Sequence, residues 1–363
     1  MRTFERSHPW LSFRLDLTHA PVQLWLLLGE AQSKALHVIG TPLLPAVLQQ
    51  FHTLALAKGA HATTAIEGNT LTEEQVGAHL RGELKLPRSQ QYLQRELDNV
   101  VGACNEIGAA ILRGERARLS VTDICDFNAR VLGGLSVAKE VVAGKVREHA
   151  VTVARYPGAP AKDCPFLLER MCAWLNGEFT ALPGYEVAFG ILKAIVAHVY
   201  IAWIHPFGDG NGRTARLVEF QVLISAGVPT TAAHLLSDHY NRTHDEYYRQ
   251  LDQAHKSKGD LLPFIEYALR GFIDGLVEQI QLLRLQQLDV HWRDFVHHKF
   301  HDRRSTSDKR KRDLMLALSQ RAGFVPGSEV RKLSPEIAAI YATVSEKTLR
   351  RDLDELRKMA VRR

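Results

Sequence analysis

The chain has 363 residues, 45% of them apolar and 24% charged, the make-up of a soluble globular protein with length for two or three domains, not of a disordered or fibrous one. Its net charge of +6 is unevenly placed: from residue 303 onward there are 16 Lys and Arg against 8 Asp and Glu, whereas residues 1–302 hold 30 against 32. The four cysteines form no C-x-x-C pair, which speaks against a disulfide framework and for free thiols in a reducing compartment.

In chain order, residues 1–50 carry prolines at 9, 21, 42 and 45, predicting loops and short helices laid over a body elsewhere. The run Leu24 to Leu28 is too short for a signal core or a membrane span, so the cytoplasm is the expected location and no membrane partner is expected. A helix is predicted from Leu54 to Glu67, stopped by Gly68 where a left-handed cap is favoured. Thr63 and Glu67 are four apart and share a face of it. Thr72-Glu-Glu-Gln75 is a capping box, Leu93 to Leu112 a longer amphipathic helix, and Ser120-Val-Thr-Asp123 a cap before Ile124 to Leu132. Residues 144–160 differ in texture: Val146, Val151, Thr152 and Val153 have strand character, with His149 and Ala150 suited to a turn and Tyr156-Pro157-Gly158 ending the run. Helical spacing returns over Phe166 to Phe179 and over Tyr185 to Ile204, where His198 reads as a hydrogen-bonded core histidine.

The second of these helices delivers His205-Pro-Phe-Gly-Asp-Gly-Asn-Gly-Arg-Thr-Ala-Arg216. Gly210, Asn211 and Gly212 can adopt backbone angles that turn successive N–H groups into one concavity, ahead of a helix predicted to start near Arg213, and such a turn binds anions. Arg213 and Arg216, three apart, share a face from which both guanidiniums would reach outer phosphates. Asp209 is placed to hold a hard cation such as Mg²⁺ against phosphate oxygens, and His205 is the neighbouring group able to take a proton near neutral pH. Phe207 would plug the loop into the core. A calcium loop is excluded, because its sixth and twelfth positions would fall on Thr214 and Phe220 instead of Gly and Glu.

This string resembles the H-x-F-x-[DE]-G-N-G-R-x-x-R signature of the Fic family at every fixed position. The resemblance implies an all-α fold, a Fic-type helical bundle with a small β-hairpin flap, and transfer of AMP from Mg·ATP to a Ser, Thr or Tyr hydroxyl of a target protein or of the chain itself. It implies His205 as general base, Asp209 as Mg²⁺ ligand, Gly210, Asn211 and Gly212 as the phosphate cradle, and Arg213 and Arg216 as outer-phosphate clamps. Thr63-Thr-Ala-Ile-Glu67-Gly68 is similar to the inhibitory [ST]-x-x-x-E-[GN] pattern of Fic proteins that carry their own brake, with Glu67 pairing Arg216 in fork geometry. By the same likeness Arg147 through Ala154, with Val151, Thr152, Val153 and Ala154 at its centre, is the flap that pairs with an extended target segment. Tyr247 and Tyr248 are the corresponding candidates for the nucleoside pocket, and His255 stands where a class of relatives has Asn. Fic relatives often self-associate, so a homodimer is the expectation by resemblance.

Beyond this, Leu276 to Phe300 is predicted as a long helix and Arg303 to Arg312 as a basic linker. A helix over Asp313 to Ala322, a short helix Pro335 to Ala342, a turn, and a helix from Ser345 to Met359 form helix-turn-helix organisation. The run from Val344 to Leu356 resembles the recognition half of a winged helix-turn-helix-like domain, and that likeness turns Lys347, Thr348, Arg350 and Arg351 toward DNA. The expected domains are an N-terminal helical region 1–112 with its inhibitory helix at about 54–68, a Fic catalytic core 113–275, a connecting helix 276–302 and the C-terminal domain 303–363. Two rival readings share the sequence: removal of AMP from a modified protein at the same site, and a DNA-binding regulator whose Fic body senses nucleotide.

Overall fold

A computed structural model describes residues 2–115, 118–153, 156–321 and 323–361. The chain divides into two compact units, Met1–Ile280 and Gln281–Arg363. The first comprises α1 (Phe4–Ser7), α2 (Val22–Gly40), α3 (Pro45–Ala65), α4 (Glu73–Leu80), α5 (Gln91–Leu112), α6 (Val121–Val131), the two-residue strands β1 (Thr152–Val153) and β2 (Tyr156–Pro157), α7 (Cys164–Gly177), α8 (Glu186–Ile204), α9 (Asn211–Ser225), α10 (Leu235–Arg242), α11 (His244–Lys256) and the first part of α12 (Leu262–Lys299). The fold is all-α.

Helix α8 is the axis of this unit. Its apolar residues run round the whole circumference, from Val187 to Ile204, and a helix apolar on every side must be enclosed by others. By length and composition it would cross a membrane, but 83% of its most apolar window is buried among its neighbours, the signature of a core helix. It packs against α9, α7 and α2, while α3 and α5 pack on each other and on α9. The N-terminus of α9 therefore lies where α3, α5 and α8 converge.

Two of the four prolines of the first fifty residues begin helices, and none interrupts one: Pro21 is the cap residue of α2, and Pro45 occupies the first turn of α3, where its missing N–H costs nothing, while Pro9 and Pro42 lie between helices. The expected loops and short helices hold for residues 2–21, where the four-residue α1 is followed by coil, but not beyond, where a 19-residue helix is followed by a 21-residue one. The capping box at Thr72 and Gln75 and the Ser120 cap form as the sequence predicts.

The second unit holds residues 281–299 of α12, then α13 (Thr306–Ser319), α14 (Pro335–Ala342) and α15 (Glu346–Val361). Its core gathers Val296, Phe300, Leu314, Ile337, Tyr341, Leu349 and Leu356. The basic stretch expected to be a linker is largely helical, because Ser305 caps α13 through the Asp308 N–H and two of its cations are anchored. Arg310 Nε donates to Asp352 Oδ2 at 2.8 Å, and Lys311 Nζ to Glu355 Oε2 at 2.7 Å. Tyr341 donates its hydroxyl to the same buried Asp352 at 3.1 Å. Among the described residues this unit contains no strand.

Candidate active site

The turn between α8 and α9 is built by its own side chains. His205 ends α8 with φ 50° and ψ 59°, a left-handed conformation unusual for a residue with a Cβ, while its N–H still donates to the Ile201 carbonyl at 2.8 Å. Phe207 is buried, as expected of a plug. Asn211 closes the loop with two bonds, its Oδ1 accepting from the Phe207 N–H at 2.9 Å and its Nδ2 donating to the Phe207 carbonyl at 2.8 Å. Its side chain is thus a staple, leaving only its backbone N–H to a cradle. Gly210 has φ 75° and Thr214 N–H donates to its carbonyl at 2.9 Å, so α9 starts at Asn211, two residues earlier than predicted. The N–H groups of Asn211, Gly212 and Arg213 are left without intrahelical acceptors, at the positive end of the helix dipole.

Asn128 and Glu96, on helices read as scaffold, and Arg147, read as the start of the flap, hold this turn in place. Asn128, fully buried on α6, donates to the Asp209 carbonyl at 2.9 Å and accepts from Gly144 N–H at 3.0 Å. Arg147 donates from Nε to the His205 carbonyl at 2.7 Å and from Nη1 to the His149 carbonyl at 2.6 Å, tying the segment before β1 to the loop that begins at His205. Glu96 on α5 faces Arg213. None announces itself locally, since each acts on a partner more than fifty residues away or on backbone.

A cavity of about 490 Å³ opens over the turn, within the range of small-molecule sites. Its wall includes Glu67, His205, Asn211, Gly212, Tyr247 and Tyr248. Burial pushes the His205 imidazole down to about 4, against the upward pull of the Ala202 backbone, Glu67 and Asp209, so the ring is neutral and proton-accepting at physiological pH.

Glu67 lies in the turn after α3, before Gly68 at φ 96°. Arg216 Nη2 donates to Glu67 Oε1 at 2.6 Å and also to the Thr63 carbonyl at 2.9 Å. The contact is therefore made through one nitrogen and is not the two-pronged fork expected, and Thr63 takes part through its backbone. The carboxylate also hangs directly over Gly212, where any Cβ would collide with Glu67 Oε1. Burial raises the Glu67 carboxyl, but Arg216, Arg213 and His205 outweigh it and hold it below the usual carboxylate range. A negative group thus occupies the first turn of α9, the place an anion would take.

Arg213 is buried and divided between two carboxylates, with Nη1 3.4 Å from Glu96 Oε1 and Nη2 3.4 Å from Asp209 Oδ1. Asp209 is half-exposed and its Oδ1 also accepts from the Gly210 N–H. Among the described residues no three potential ligands cluster as a metal site. One exposed carboxylate next to an anion cradle suits Mg²⁺ held mainly by phosphate oxygens and water.

Of the two tyrosines, Tyr247 is buried and its hydroxyl is bonded to His198 Nε2 at 2.8 Å, so its contribution to the cavity is ring surface; Tyr248 is partly exposed. His198 is the bonded core histidine expected, with Glu219 Oε2 3.2 Å from its Nδ1. His255 stacks edge-on against Trp10, with ring centroids 4.3 Å apart.

The hairpin pairs Thr152 with Pro157 and Val153 with Tyr156, antiparallel. The paired strands flank residues 154–155, which lie outside the described residues, so His149 and Ala150 do not separate them, and the neighbourhood of His149 is held by Arg147 instead. Val151 accepts from Gly158 N–H at 3.0 Å, and a Cβ at Gly158 would lie 3.3 Å from His205 Cβ, so the base of the hairpin adjoins the imidazole. Thr152 is exposed; Ala154 lies outside the described residues. In the second unit Lys347, Arg350 and Arg351 are exposed on α15 and Thr348 is half-buried, with Arg350 engaged by Glu346 at 2.8 Å.

Residues 118–223 match the family model for the Fic/DOC family. The chain is 34% identical over 213 residues to protein adenylyltransferase fic-1 of Caenorhabditis briggsae, and 32% identical over 208 residues to that of Caenorhabditis elegans; each match covers 57% of this chain and 38% of the relative. The chain thus spans well under half the length of the curated relatives it matches. Among solved structures, a segment of Fic-1 from C. elegans superposes with a TM-score of 0.59 at 25% identity, covering 72% of this chain and 73% of that one. A Fic family protein from Desulfovibrio desulfuricans superposes at 0.57 and 23% identity, covering 74% and 77%, and shares the fold.

Proposed function

We propose that this chain, which carries a Fic domain, is a protein adenylyltransferase that moves AMP from ATP to a hydroxyl side chain of a protein, itself included, and that Glu67 holds it in check. The observation that carries the reading is the position of Glu67: its carboxylate lies over Gly212 and on Arg216, in the wall of the same cavity as the neutral imidazole of His205. An anion already in the cradle is what a triphosphate must displace or share. Catalysis of this kind rests on positioning and charge stabilisation, with His205 taking the proton of the attacking hydroxyl. The amides of Gly212 and Arg213 would grip the inner phosphates, and Arg213 and Arg216 the outer ones. Asp209 would hold Mg²⁺, which supplies charge neutralisation to the leaving pyrophosphate. The hairpin at Thr152 would dock the target by strand addition.

The test is intact-mass measurement after incubation with ATP and Mg²⁺. The Glu67→Gly protein should gain adenylate, and a Glu67→Gly, His205→Ala protein should gain none while still binding ATP. Adenylate on the second protein would reassign the base.

A second reading uses the same groups in reverse. Glu67 lines the cavity beside His205 with its side chain 27% exposed, and so could orient water against an AMP–protein ester. Release of AMP from a modified protein by the wild type and not by Glu67→Gly would favour it. For the second unit the exposed Lys347, Arg350 and Arg351 favour contact with duplex DNA, as an adjunct to the enzyme or as the main role of a nucleotide-sensing regulator. A homodimer is likewise proposed, on the habit of the family.

A further inference from the structure

We infer that Glu96 is the positioning residue of the outer-phosphate clamp: it aims Arg213 at the cradle, and Asn69 fixes it to the turn that carries Glu67. The inference rests on the nucleotide-binding reading above and assigns a role to an α5 side chain that the sequence marks only as scaffold.

The geometry is asymmetric. Glu96 Oε2 accepts from Asn69 Nδ2 at 2.9 Å, leaving Oε1 to face Arg213 Nη1 at 3.4 Å. Asn69 is itself locked: its Nδ2 also donates to the Leu93 carbonyl at 3.0 Å, its Oδ1 accepts from Leu71 N–H at 3.1 Å, and its own N–H donates to the Thr64 carbonyl at 3.1 Å. The carboxylate therefore cannot swing to take the guanidinium in both hands. Arg213 is 6% exposed along its side chain, and its Nε finds no acceptor. A buried guanidinium held at arm's length by two carboxylates at 3.4 Å is charge-compensated yet not saturated. It can shorten its bonds to an incoming phosphate without leaving a bare charge behind. Glu96 would then restrict Arg213 to the orientation from which that phosphate is reached, while Asp209, half-exposed, is free to turn to the cation.

The chain of contacts also joins the two clamps. Arg216 is taken by Glu67, and Arg213 by Glu96, which Asn69, two residues beyond Glu67, holds in register. Both guanidiniums thus answer to one turn.

The test compares equilibrium binding of ATP and of AMP by calorimetry, in the Glu67→Gly background so that the cradle is open. Adding Glu96→Gln should weaken ATP by about tenfold, the scale of one charge-assisted contact, and leave AMP unchanged, because Arg213 would reach only the outer phosphates. A fold defect would weaken both nucleotides alike. Glu96→Asp keeps the charge and should bind ATP within about threefold of the parent; it serves as the measure if the glutamine variant melts early. Equal losses for ATP and AMP, or no loss for ATP, overturn the inference. If the Glu67→Gly parent binds neither nucleotide, the nucleotide reading itself falls, and that outcome is distinct from either.

Discussion

Glu67 and Arg216 are 149 residues apart in the chain and joined at 2.6 Å, across the first turn of the helix that begins at Asn211. The contact puts a carboxylate over the same amides and the same guanidinium that suit a phosphate. Whatever binds there competes with a group the chain supplies itself.

Glu67→Gly removes that competitor, and because Glu67 lies in a turn after α3 and Arg216 keeps its bond to the Thr63 carbonyl, the fold should persist at some cost in stability. Self-labelling from radiolabelled ATP should rise by roughly a hundredfold, the rate cost of about an ångström of misalignment at a reacting phosphorus. Unchanged incorporation would mean that the ion pair is structural only.

The pH dependence follows from His205. Burial lowers its pKa from 6.5 to about 4, so the proton-accepting form is present above that value and lost as pH falls through it. Removing Glu67 also removes an upward pull, and therefore moves the limb further down. The rate of the Glu67→Gly protein should stay flat from about pH 8 to about pH 5.5, where an ordinary imidazole would already have lost most of its base form. A midpoint near 6.5 would show the ring to be solvated in the open cradle.

Gly59 on α3 tests how the arm carrying Glu67 is held. A Cβ there would run into the His234 ring, which stacks on Phe220 with centroids 4.5 Å apart. Gly59→Ala should cost about 1–3 kcal/mol by overpacking, read as a lower thermal midpoint. It should also raise self-labelling, because α3 must shift to make room. A stabilised variant would show that α3 and α10 pack less closely than the structure has them.

For the second unit, affinity for duplex DNA should fall steeply between low and moderate salt if Lys347, Arg350 and Arg351 meet phosphates. Arg351→Ala should reduce the slope of that dependence by about one. Arg350 is a weaker choice, being paired with Glu346. Salt-independent binding, or none, assigns this unit to protein contacts.

Much of the loop from His205 to Arg216 was legible because its chemistry is local. Asp209, the glycines and both arginines lie within eight residues, and the apolar run ahead of His205 dictates a buried helix by itself. The Thr72 capping box and the Ser120 cap were legible for the same reason. The hairpin was legible as strand-forming residues but not in register, since two paired residues on each side carry too little periodicity to place the turn. The start of α3 and the helicity of Thr306–Arg312 were misread because proline and clustered charge are ambiguous until a partner is seen: Pro45 opens a helix, and Arg310 and Lys311 are neutralised by Asp352 and Glu355.

Sequence alone determined which groups this protein brings: an imidazole after an apolar helix, an amide-rich turn, two guanidiniums, and a carboxylate before a glycine. Tertiary structure decided which of them meet. Only the packing of α3 and α5 onto α9 sets Glu67 on Arg216 and Glu96 before Arg213, and only the stapling by Asn211, Asn128 and Arg147 fixes where His205 stands. A contact between residues far apart in the chain leaves no mark in local spacing, because the energy that selects it is released when surfaces from several helices close together.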